Sequence, residues 1–217
     1  MHVVDRWEYY AAHPEQILFI WSGGIAVWGA AIGGVLAGYI SARRRGDVPI
    51  GLGADAAAAG IGLGFAIGRI GDVINGEHWA TACRAALGIC VSYTHPETLG
   101  QGTALAPGDV RYVAEPVHLA VAYDMAWVAL TVLLVLWLWR LRDAGRLRVP
   151  PGALFWIWAF LYGAGRFTVS NLRIGDPESL LGLRQDQLIG LAAMLVSAPV
   201  LFWLLRRSPP PAEASSA

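Results

Sequence analysis

The strongest constraint on the fold is a series of long apolar stretches separated by polar segments. A helix that crosses the hydrocarbon core of a bilayer needs about 20 consecutive, mostly apolar residues. Five stretches are predicted to be such spans: Ile17–Ile40, Ile50–Ile70, Val117–Trp139, Ala153–Val169 and Leu188–Leu205. Only 15% of all residues are charged and 56% are hydrophobic, whereas a soluble domain carries about 25% charged residues. The chain is therefore predicted to be an all-α, polytopic membrane protein with about five transmembrane helices.

The connecting segments differ in their content of arginine, which supplies all 16 basic residues. Arginine is frequent in "SARRRGDVP", "RLRDAGRLRVP" and "RRSPPP", and rarer in the N-terminal segment, in the loop from about 71 to 116 and in "NLRIGDPESLLGLRQDQ". Because basic loops stay in the cytoplasm, this alternation predicts an outer N-terminus, a cytoplasmic C-terminus and one sizeable outer loop. Residues 1–207 are interpreted as a single transmembrane domain, and the Pro/Ala/Ser-rich residues 208–217 as a disordered tail.

Composition and short motifs argue against several function classes. The net charge is zero, so the chain has no electrostatic footprint of nucleic-acid binding. It contains no G-x-S-x-G, H-E-x-x-H or glycine-rich phosphate loop, so hydrolase and nucleotide-binding functions gain no support.

Cys83 and Cys90 lie close together in the long loop and are either a disulfide in an oxidising compartment or two unrelated cysteines. A metal site would need further ligands at suitable spacing, and none is expected.

Arginines near the predicted outer ends of two spans are candidates for function. Arg69 ends the second span and Arg166 lies near the end of the fourth. Arg173 follows Arg166 by about two helical turns, so the two share a face if the helix continues. Because a guanidinium binds phosphate through paired hydrogen bonds, their convergence predicts a site for a lipid phosphate. The alternative is that these side chains, like that of Arg184, snorkel to the interface or pair with nearby carboxylates: Asp72, Glu77 and Asp176.

Two further ionisable residues have competing interpretations. Asp55 lies deeper in the second span, where an isolated charge is costly, so it is expected to be paired or protonated and to have a structural role. His118, at the start of the third span, is either a general base that accepts a proton near neutral pH or a hydrogen-bonded structural residue. Tyr123 follows it by five positions, so on a helix the two side chains would point in different directions.

Four segments form an ordered series of motifs. "IWSGGIAVWGAAIGG" contains W-x-G-G before a span, and "GRIGDVINGEHW" follows it at residues 68–79. Further along the chain lie "VHLAVAYDMAW" and "LYGAGRFTVSNLR". In this order they resemble the motifs of the bacterial prolipoprotein diacylglyceryl transferases: W-x-G-G-[LM], G-R-[ILW]-G-N-[FW]-[IF]-N-x-E-x-[WY]-G, H-P-x-x-L-Y-E and Y-G-x-x-R-F-x-x-E-x-x-R. The resemblance covers the chain from about Asp5 to Leu205.

The resemblance implies an enzyme of the bacterial inner membrane that needs no metal or organic cofactor. Such an enzyme transfers the diacylglyceryl group of phosphatidylglycerol to the lipobox cysteine of a prolipoprotein signal peptide, which leaves a thioether-linked lipid and glycerol phosphate. Arg69 matches the signature arginine that binds the lipid head group, Arg166 matches a second essential arginine, and Arg173 matches a supporting one. The candidate catalytic residues are Arg69, Arg166 and His118, and the candidate substrate-binding residues are Arg69, Asp72, Asn75, Glu77, Tyr123 and Arg173.

Several positions depart from the family motifs and leave two other functions open. The signature asparagine is Asp72, a carboxylate that only accepts hydrogen bonds when ionised and that would compete with phosphate for Arg69. The glycine after the signature tryptophan is Ala80, and the glutamate of the third motif is Asp124. Family members usually have seven spans, so an N-terminal span is expected to be lacking here. The alternatives are a catalytically inactive paralogue that binds anionic lipid or signal peptides, and a small membrane transporter, although no pair of broken helices supports the latter.

Overall fold

The computed structural model describes two units of the chain, one that ends at Ile50 and one that begins at Gly51. The first unit contains helix α1 (Trp7–Ala12), a 3-10 helix (Pro14–Leu18) and helix α2 (Val27–Arg45). The residues described in the whole chain are 7–18, 27–46, 49–75, 80–83, 88–93, 116–174, 178–180 and 182–207.

Two sequence predictions fall partly or wholly outside the described residues. The first predicted span, Ile17–Ile40, includes residues 19–26, which are not described, and continues into α2. The predicted tail at 208–217 also lies outside the described residues. The assignment of residues 1–207 to a single domain therefore stays a prediction.

Within the described residues, the second unit consists mainly of four long helices, with two short antiparallel strand pairs in their connections. Strand β1 (Cys90–Val91) pairs with β2 (Val117–His118), which places Cys90 opposite His118. Strand β3 (Glu178–Leu180) pairs with β4 (Leu183–Arg184). The helices are α3 (Ile50–Asn75), α4 (Ala120–Asp143), α5 (Ala153–Ser170) and α6 (Gln185–Arg207).

The described residues include three helices that are long and apolar enough to cross a membrane: Ile50–Ile74, Ala120–Asp143 and Gln185–Arg207. They overlap three of the predicted spans, so the predicted helical membrane fold is confirmed. The fourth predicted span corresponds to α5, which has 18 residues and carries the charge of Arg166. The number of five spans stays a prediction, because the described helices include only three with the required length and apolar composition.

Glycines let α5 approach its two neighbours closely. A Cβ atom built on Gly163 would lie 2.6 Å from the carbonyl oxygen of Gly190, and one built on Gly190 would lie 2.6 Å from that of Gly163. These two positions therefore permit backbone contact between α5 and α6, as small residues do in closely packed membrane helices. A Cβ on Gly165 would overlap the indole ring of Trp127 on α4. The end of α5 is thus held against both α4 and α6.

Asp55, which was predicted to be paired, connects three helices near one end of the second unit. Its side chain is fully buried, and Oδ2 accepts a hydrogen bond from Arg142 Nη1 at 2.6 Å. Oδ2 also accepts the backbone N–H of Gly152 at 3.1 Å, and Oδ1 accepts that of Phe155 at 3.0 Å. Asp55 on α3 therefore caps the start of α5, where backbone N–H groups have no partners within the helix. The predicted pairing is confirmed, and we refer to Asp55, Arg142 and these two N–H groups as the Asp55 latch.

Candidate active site

Arginines from two helices meet on a single carboxylate of a third helix. Asp124, near the start of α4, is only 4% exposed. Its Oδ2 lies 2.7 Å from Nη2 of Arg69 on α3 and 2.9 Å from Nη1 of Arg166 on α5. The predicted convergence of Arg69 and Arg166 is confirmed, and the group that lies between them is a carboxylate.

A second carboxylate contacts the other terminal nitrogen of Arg69. Asp72 lies about one turn further along α3, and its Oδ2 is 2.5 Å from Arg69 Nη1. Both terminal nitrogens of Arg69 are therefore paired, one with Asp72 and one with Asp124. This confirms the pairing with Asp72 that the sequence left open. A phosphate that binds Arg69 in a fork geometry would compete with these carboxylates for the same plane of N–H donors.

A third carboxylate, that of Asp186, lies between Arg166 and Arg173. Its Oδ2 is 3.5 Å from Arg166 Nη2 and 3.6 Å from Arg173 Nη1, which are ion-pair distances rather than hydrogen bonds. Asp186 is the second residue of α6, and its Oδ1 accepts the N–H of Gln187 at 3.0 Å. Arg166 therefore bridges carboxylates from α4 and α6. We refer to these three arginines and three aspartates as the arginine cluster: Arg69, Arg166, Arg173, Asp72, Asp124 and Asp186.

Helix α5 does not continue to Arg173, so the condition under which Arg166 and Arg173 would share one helical face is not met. The helix ends at Ser170, and the side-chain amide of Asn171 donates to two carbonyl groups of the last turn at 2.9 and 3.2 Å. These hydrogen bonds satisfy carbonyl groups that the end of a helix leaves without partners. The two arginines nevertheless meet at Asp186, because the chain beyond Asn171 turns towards the start of α6.

The segment that carries Arg173 is held by main-chain contacts. Arg173 forms an antiparallel bridge with Ala80, which belongs to the long connection between α3 and α4. The Arg184 guanidinium donates to the backbone carbonyls of Ser170 and Arg173. Arg184 therefore contacts the main chain that positions Arg173, whereas the sequence suggested that it snorkels or pairs with a carboxylate.

A narrow crevice, too small in this structure to hold a water molecule, lies beside the arginine cluster. The side chains of Arg69 and Arg166 are 19% and 16% exposed, so both guanidinium groups are largely withdrawn from water. Donors in such a water-poor setting stabilise negative charge more strongly than they would in water. These donors are paired with carboxylates in this structure, so another anion would have to take the place of a carboxylate. The crevice is lined by Arg69, Ala120, Val121, Asp124 and Arg173.

His118 and Tyr123 contact each other, so the prediction that their side chains diverge was wrong. The prediction assumed that one helix carries both residues, whereas His118 lies on β2 and α4 begins only at Ala120. The Nδ1 atom of His118 is 3.1 Å from the Tyr123 hydroxyl. The hydroxyl also accepts the backbone N–H of Ile89 at 2.7 Å. Both residues are thus tied to the connection between α3 and α4.

Cys83 and Cys90 form a disulfide, which resolves the alternative that the sequence left open. The bridge closes a short loop whose second end pairs with His118 across β1 and β2. Glycine is needed at position 88 in this loop, because a Cβ atom there would lie 2.8 Å from Cys83 Sγ and 3.0 Å from His118 Cε1. Gly88 therefore lies between the disulfide and the candidate base.

Two of the predicted site residues have side chains outside the described part of the chain, and two aspartates of the arginine cluster were not predicted. Glu77 and the side chain of Asn75 lie outside the described residues, so their roles stay predictions. Asp124 and Asp186 were not among the predicted site residues. The available signal was a carboxylate inside or at the start of an apolar span, which requires a partner. Which arginine serves as that partner depends on helix packing.

Comparison with known proteins agrees with the motif resemblance. The family model described as Prolipoprotein diacylglyceryl transferase matches residues 1–203. A curated phosphatidylglycerol–prolipoprotein diacylglyceryl transferase of Synechococcus elongatus is 33% identical over 215 residues, which cover 96% of this chain and 68% of that protein. Proteins of the same name are 35% identical in Dehalococcoides mccartyi, over 95% of this chain and 71% of the relative, and 33% identical in Trichormus variabilis, over 99% and 72%. The chain therefore belongs to the prolipoprotein diacylglyceryl transferase family.

Proposed function

We propose that this protein is a membrane enzyme that transfers the diacylglyceryl group of phosphatidylglycerol to a cysteine thiol of a bacterial prolipoprotein. Family membership supports the reaction, since the relatives carry both substrates in their names. The observation that carries the proposal at the level of residues is the meeting of Arg69 and Arg166 on one buried carboxylate. This geometry provides two guanidinium groups for one anionic group beside a crevice.

The arginine cluster is proposed to bind the lipid phosphate. Phosphatidylglycerol enters from the bilayer, and its phosphate takes N–H donors of Arg69 and Arg166 that Asp124 contacts in this structure. Arg173 lies on the same crevice and supports the same charge. Arginine suits this role better than lysine, because its planar guanidinium matches two phosphate oxygens at once. Asn75, Glu77 and Tyr123 are proposed to shape the site by hydrogen bonding, whereas Asp72 lies at the site as a partner of Arg69 that competes with the phosphate.

The chemical step is proposed to be a displacement at the glyceryl carbon that carries the phosphate. The substrate thiol, with a usual pKa of about 8.5, gives its proton to His118. The sulfur then forms a bond to that carbon, the carbon–oxygen bond breaks, and its electron pair leaves with the phosphate as glycerol phosphate. The guanidinium groups stabilise the charge that grows on the leaving phosphate. The nucleophile belongs to the substrate, so the enzyme itself need not provide one.

The site is proposed to face the outer side of the bacterial inner membrane. The distribution of arginine among the loops supports an outer N-terminus and a cytoplasmic C-terminus. With that orientation, the ends of α3 and α5 that carry Arg69 and Arg166 lie at the outer surface, where a signal peptide presents its lipobox cysteine. The disulfide between Cys83 and Cys90 suits the same side, since disulfides persist in oxidising compartments.

Alanine substitutions at the two arginines test the proposal. Arg69→Ala and Arg166→Ala should each lower lipid transfer to a lipobox peptide by at least about a hundredfold, as loss of a preorganised charge-stabilising donor does. The mass increase of the peptide measures transfer, and recovery in the membrane fraction measures insertion. Arg140→Ala, which removes an exposed arginine of α4, is the matched control and should keep full activity.

Two outcomes would contradict the proposal. Full transfer by Arg69→Ala would remove phosphate binding from this arginine. A wild-type protein that binds vesicles of phosphatidylglycerol but transfers no lipid to the peptide would instead support the inactive paralogue.

A further inference from the structure

The hydroxyl group of Tyr123 is the meeting point of three hydrogen-bonding groups. It accepts the N–H of Ile89 at 2.7 Å and lies 3.4 Å from the carbonyl oxygen of the same residue. The third group is Nδ1 of His118, at 3.1 Å. Two of the three have fixed roles, because a backbone N–H only donates and a carbonyl oxygen only accepts.

The single proton of this phenol is coupled to the protonation of the imidazole. A phenolic oxygen donates one hydrogen bond and accepts others. When it donates to the carbonyl of Ile89, His118 Nδ1 must carry a proton and donate to the phenol, so that each of the three contacts has a hydrogen, the one at 3.4 Å being longer than an ordinary hydrogen bond. When it donates to Nδ1 instead, the contact with the carbonyl of Ile89 has no hydrogen. The first arrangement therefore gives every contact both a donor and an acceptor.

We propose that Tyr123 is a positioning residue that holds His118 in the tautomer with the proton on Nδ1. This leaves the lone pair of Nε2 available for the proton of the substrate thiol. The inference rests on the proposed function, which assigns the role of base to His118. It goes beyond that assignment by naming the nitrogen that accepts the proton and the residue that selects it.

The position of Tyr123 suits this role. His118 lies two residues before Ala120, and Ala120 lines the crevice together with Arg69. Tyr123 packs against the buried cluster that contains Ala120, so its ring is supported from the core side. The hydroxyl group contacts the imidazole at Nδ1, which leaves Nε2 without a contact to Tyr123.

Ile89, the anchor of the hydroxyl, is itself held in place. Its carbonyl oxygen accepts the N–H of Leu119 at 2.8 Å. The next residue, Cys90, is bonded to Cys83 and lies opposite His118 across β1 and β2. The disulfide thus keeps both main-chain groups of Ile89 at the Tyr123 hydroxyl, and we infer that it acts on His118 through this contact.

Nitrogen NMR of the imidazole tests the tautomer without relying on activity. In protein labelled with ¹⁵N-histidine in detergent micelles, the His118 signals are assigned as those lost in His118→Gln. Wild-type His118 should show a protonated Nδ1 and an unprotonated Nε2, and Tyr123→Phe should shift its population towards the opposite tautomer. A wild-type Nε2–H tautomer, or a population unchanged in Tyr123→Phe, would overturn the proposal.

Kinetics test whether the tautomer matters for the reaction. Tyr123→Phe should lower kcat about tenfold, a part of what a general base contributes, and leave KM for phosphatidylglycerol unchanged. Tyr39→Phe, which alters an exposed tyrosine of α2, is the matched control. An unchanged kcat in Tyr123→Phe overturns the positioning role.

Failure of this inference is distinguishable from failure of the proposed function. Full transfer by His118→Gln would remove the base from the mechanism and overturn the inference, while the arginine variants would still test phosphate binding.

The Cys83→Ser/Cys90→Ser variant should change the tautomer and kcat in the same direction as Tyr123→Phe, and by less. No change in either quantity would overturn the role of the disulfide.

Discussion

The Asp55 latch and the arginine cluster place the same two residue types at opposite ends of three helices, yet they are built differently. In the latch, one fully buried carboxylate accepts hydrogen bonds from one arginine and from two backbone N–H groups. In the cluster, Asp124 is shared by Arg69 and Arg166, and Asp186 contacts Arg166 and Arg173 at 3.5 and 3.6 Å. Backbone donors are fixed by the helix, whereas arginine side chains can turn to another acceptor.

This difference supports a structural role for the latch and agrees with the binding role proposed for the arginine cluster. A carboxylate that is satisfied mainly by backbone groups holds helices together and offers nothing to a ligand. The Oδ2 atom of Asp186, in contrast, is buried without a hydrogen bond in the described residues. Buried polar groups are normally satisfied, so this acceptor atom differs from those of the latch.

Removal of the latch carboxylate should have the largest effect on stability. Asp55→Ala leaves Arg142 without its buried partner and uncaps α5, so the free energy of unfolding should fall by about 3–5 kcal/mol. Denaturation in detergent, followed by circular dichroism, measures the change. Asp143→Ala removes an exposed carboxylate from the end of α4 and should change stability by no more than about 0.5 kcal/mol. Equal losses in both variants would contradict the structural role.

Replacing the planar guanidinium group of Arg166 by an ammonium group should lower activity more than it lowers stability. Arg166→Lys keeps the charge but loses the planar fork that reaches Asp124 and Asp186 together. Transfer should fall by about 10- to 100-fold, consistent with the loss of a bidentate, charge-assisted contact. The same peptide assay measures it, with Arg206→Lys on α6 as control. A lysine variant with wild-type activity would show that charge alone suffices.

The smallest effect is expected from the carboxylate that competes for Arg69. Asp72→Asn keeps a hydrogen-bond acceptor for Arg69 Nη1 and removes the negative charge at 2.5 Å. KM for phosphatidylglycerol should fall by about two- to fivefold, in line with the 0–1 kcal/mol that partly exposed ion pairs contribute. Initial rates at varied lipid content in mixed micelles measure KM. An increase in KM would mean that Asp72 orients Arg69 for the phosphate rather than competing with it.

The positions and approximate ends of the long helices could be predicted, because the bilayer restricts the length and the apolar composition of a spanning helix. The predicted spans Ile50–Ile70 and Val117–Trp139 match α3 and α4 to within a few residues at most ends. Arg69 and Arg166 could be identified because a charged residue within a membrane span is costly and therefore marks a candidate functional site. These features are local, so a single stretch of sequence contains the information for each of them.

The partners within the site could not be predicted, because they join residues that are distant in the sequence. The hydrogen bond between Arg166 and Asp124 spans 42 positions, and that between Arg142 and Asp55 spans 87. The contact between His118 and Tyr123 is close in sequence but was missed, since it depends on whether the helix begins before or after His118. A shift of two residues in a helix start changes which side chains meet.

The sequence by itself determined that this chain forms apolar helices with arginines at their ends, because hydrocarbon accepts only helices whose backbone hydrogen bonds are internal. Only the tertiary structure decided that Arg142 belongs to the Asp55 latch and Arg166 to the arginine cluster. A charge withdrawn from water must be neutralised by whatever acceptor the packing of neighbouring helices brings within reach. The identity of that acceptor depends on which residues lie nearby in three dimensions, and the residue type alone does not specify this.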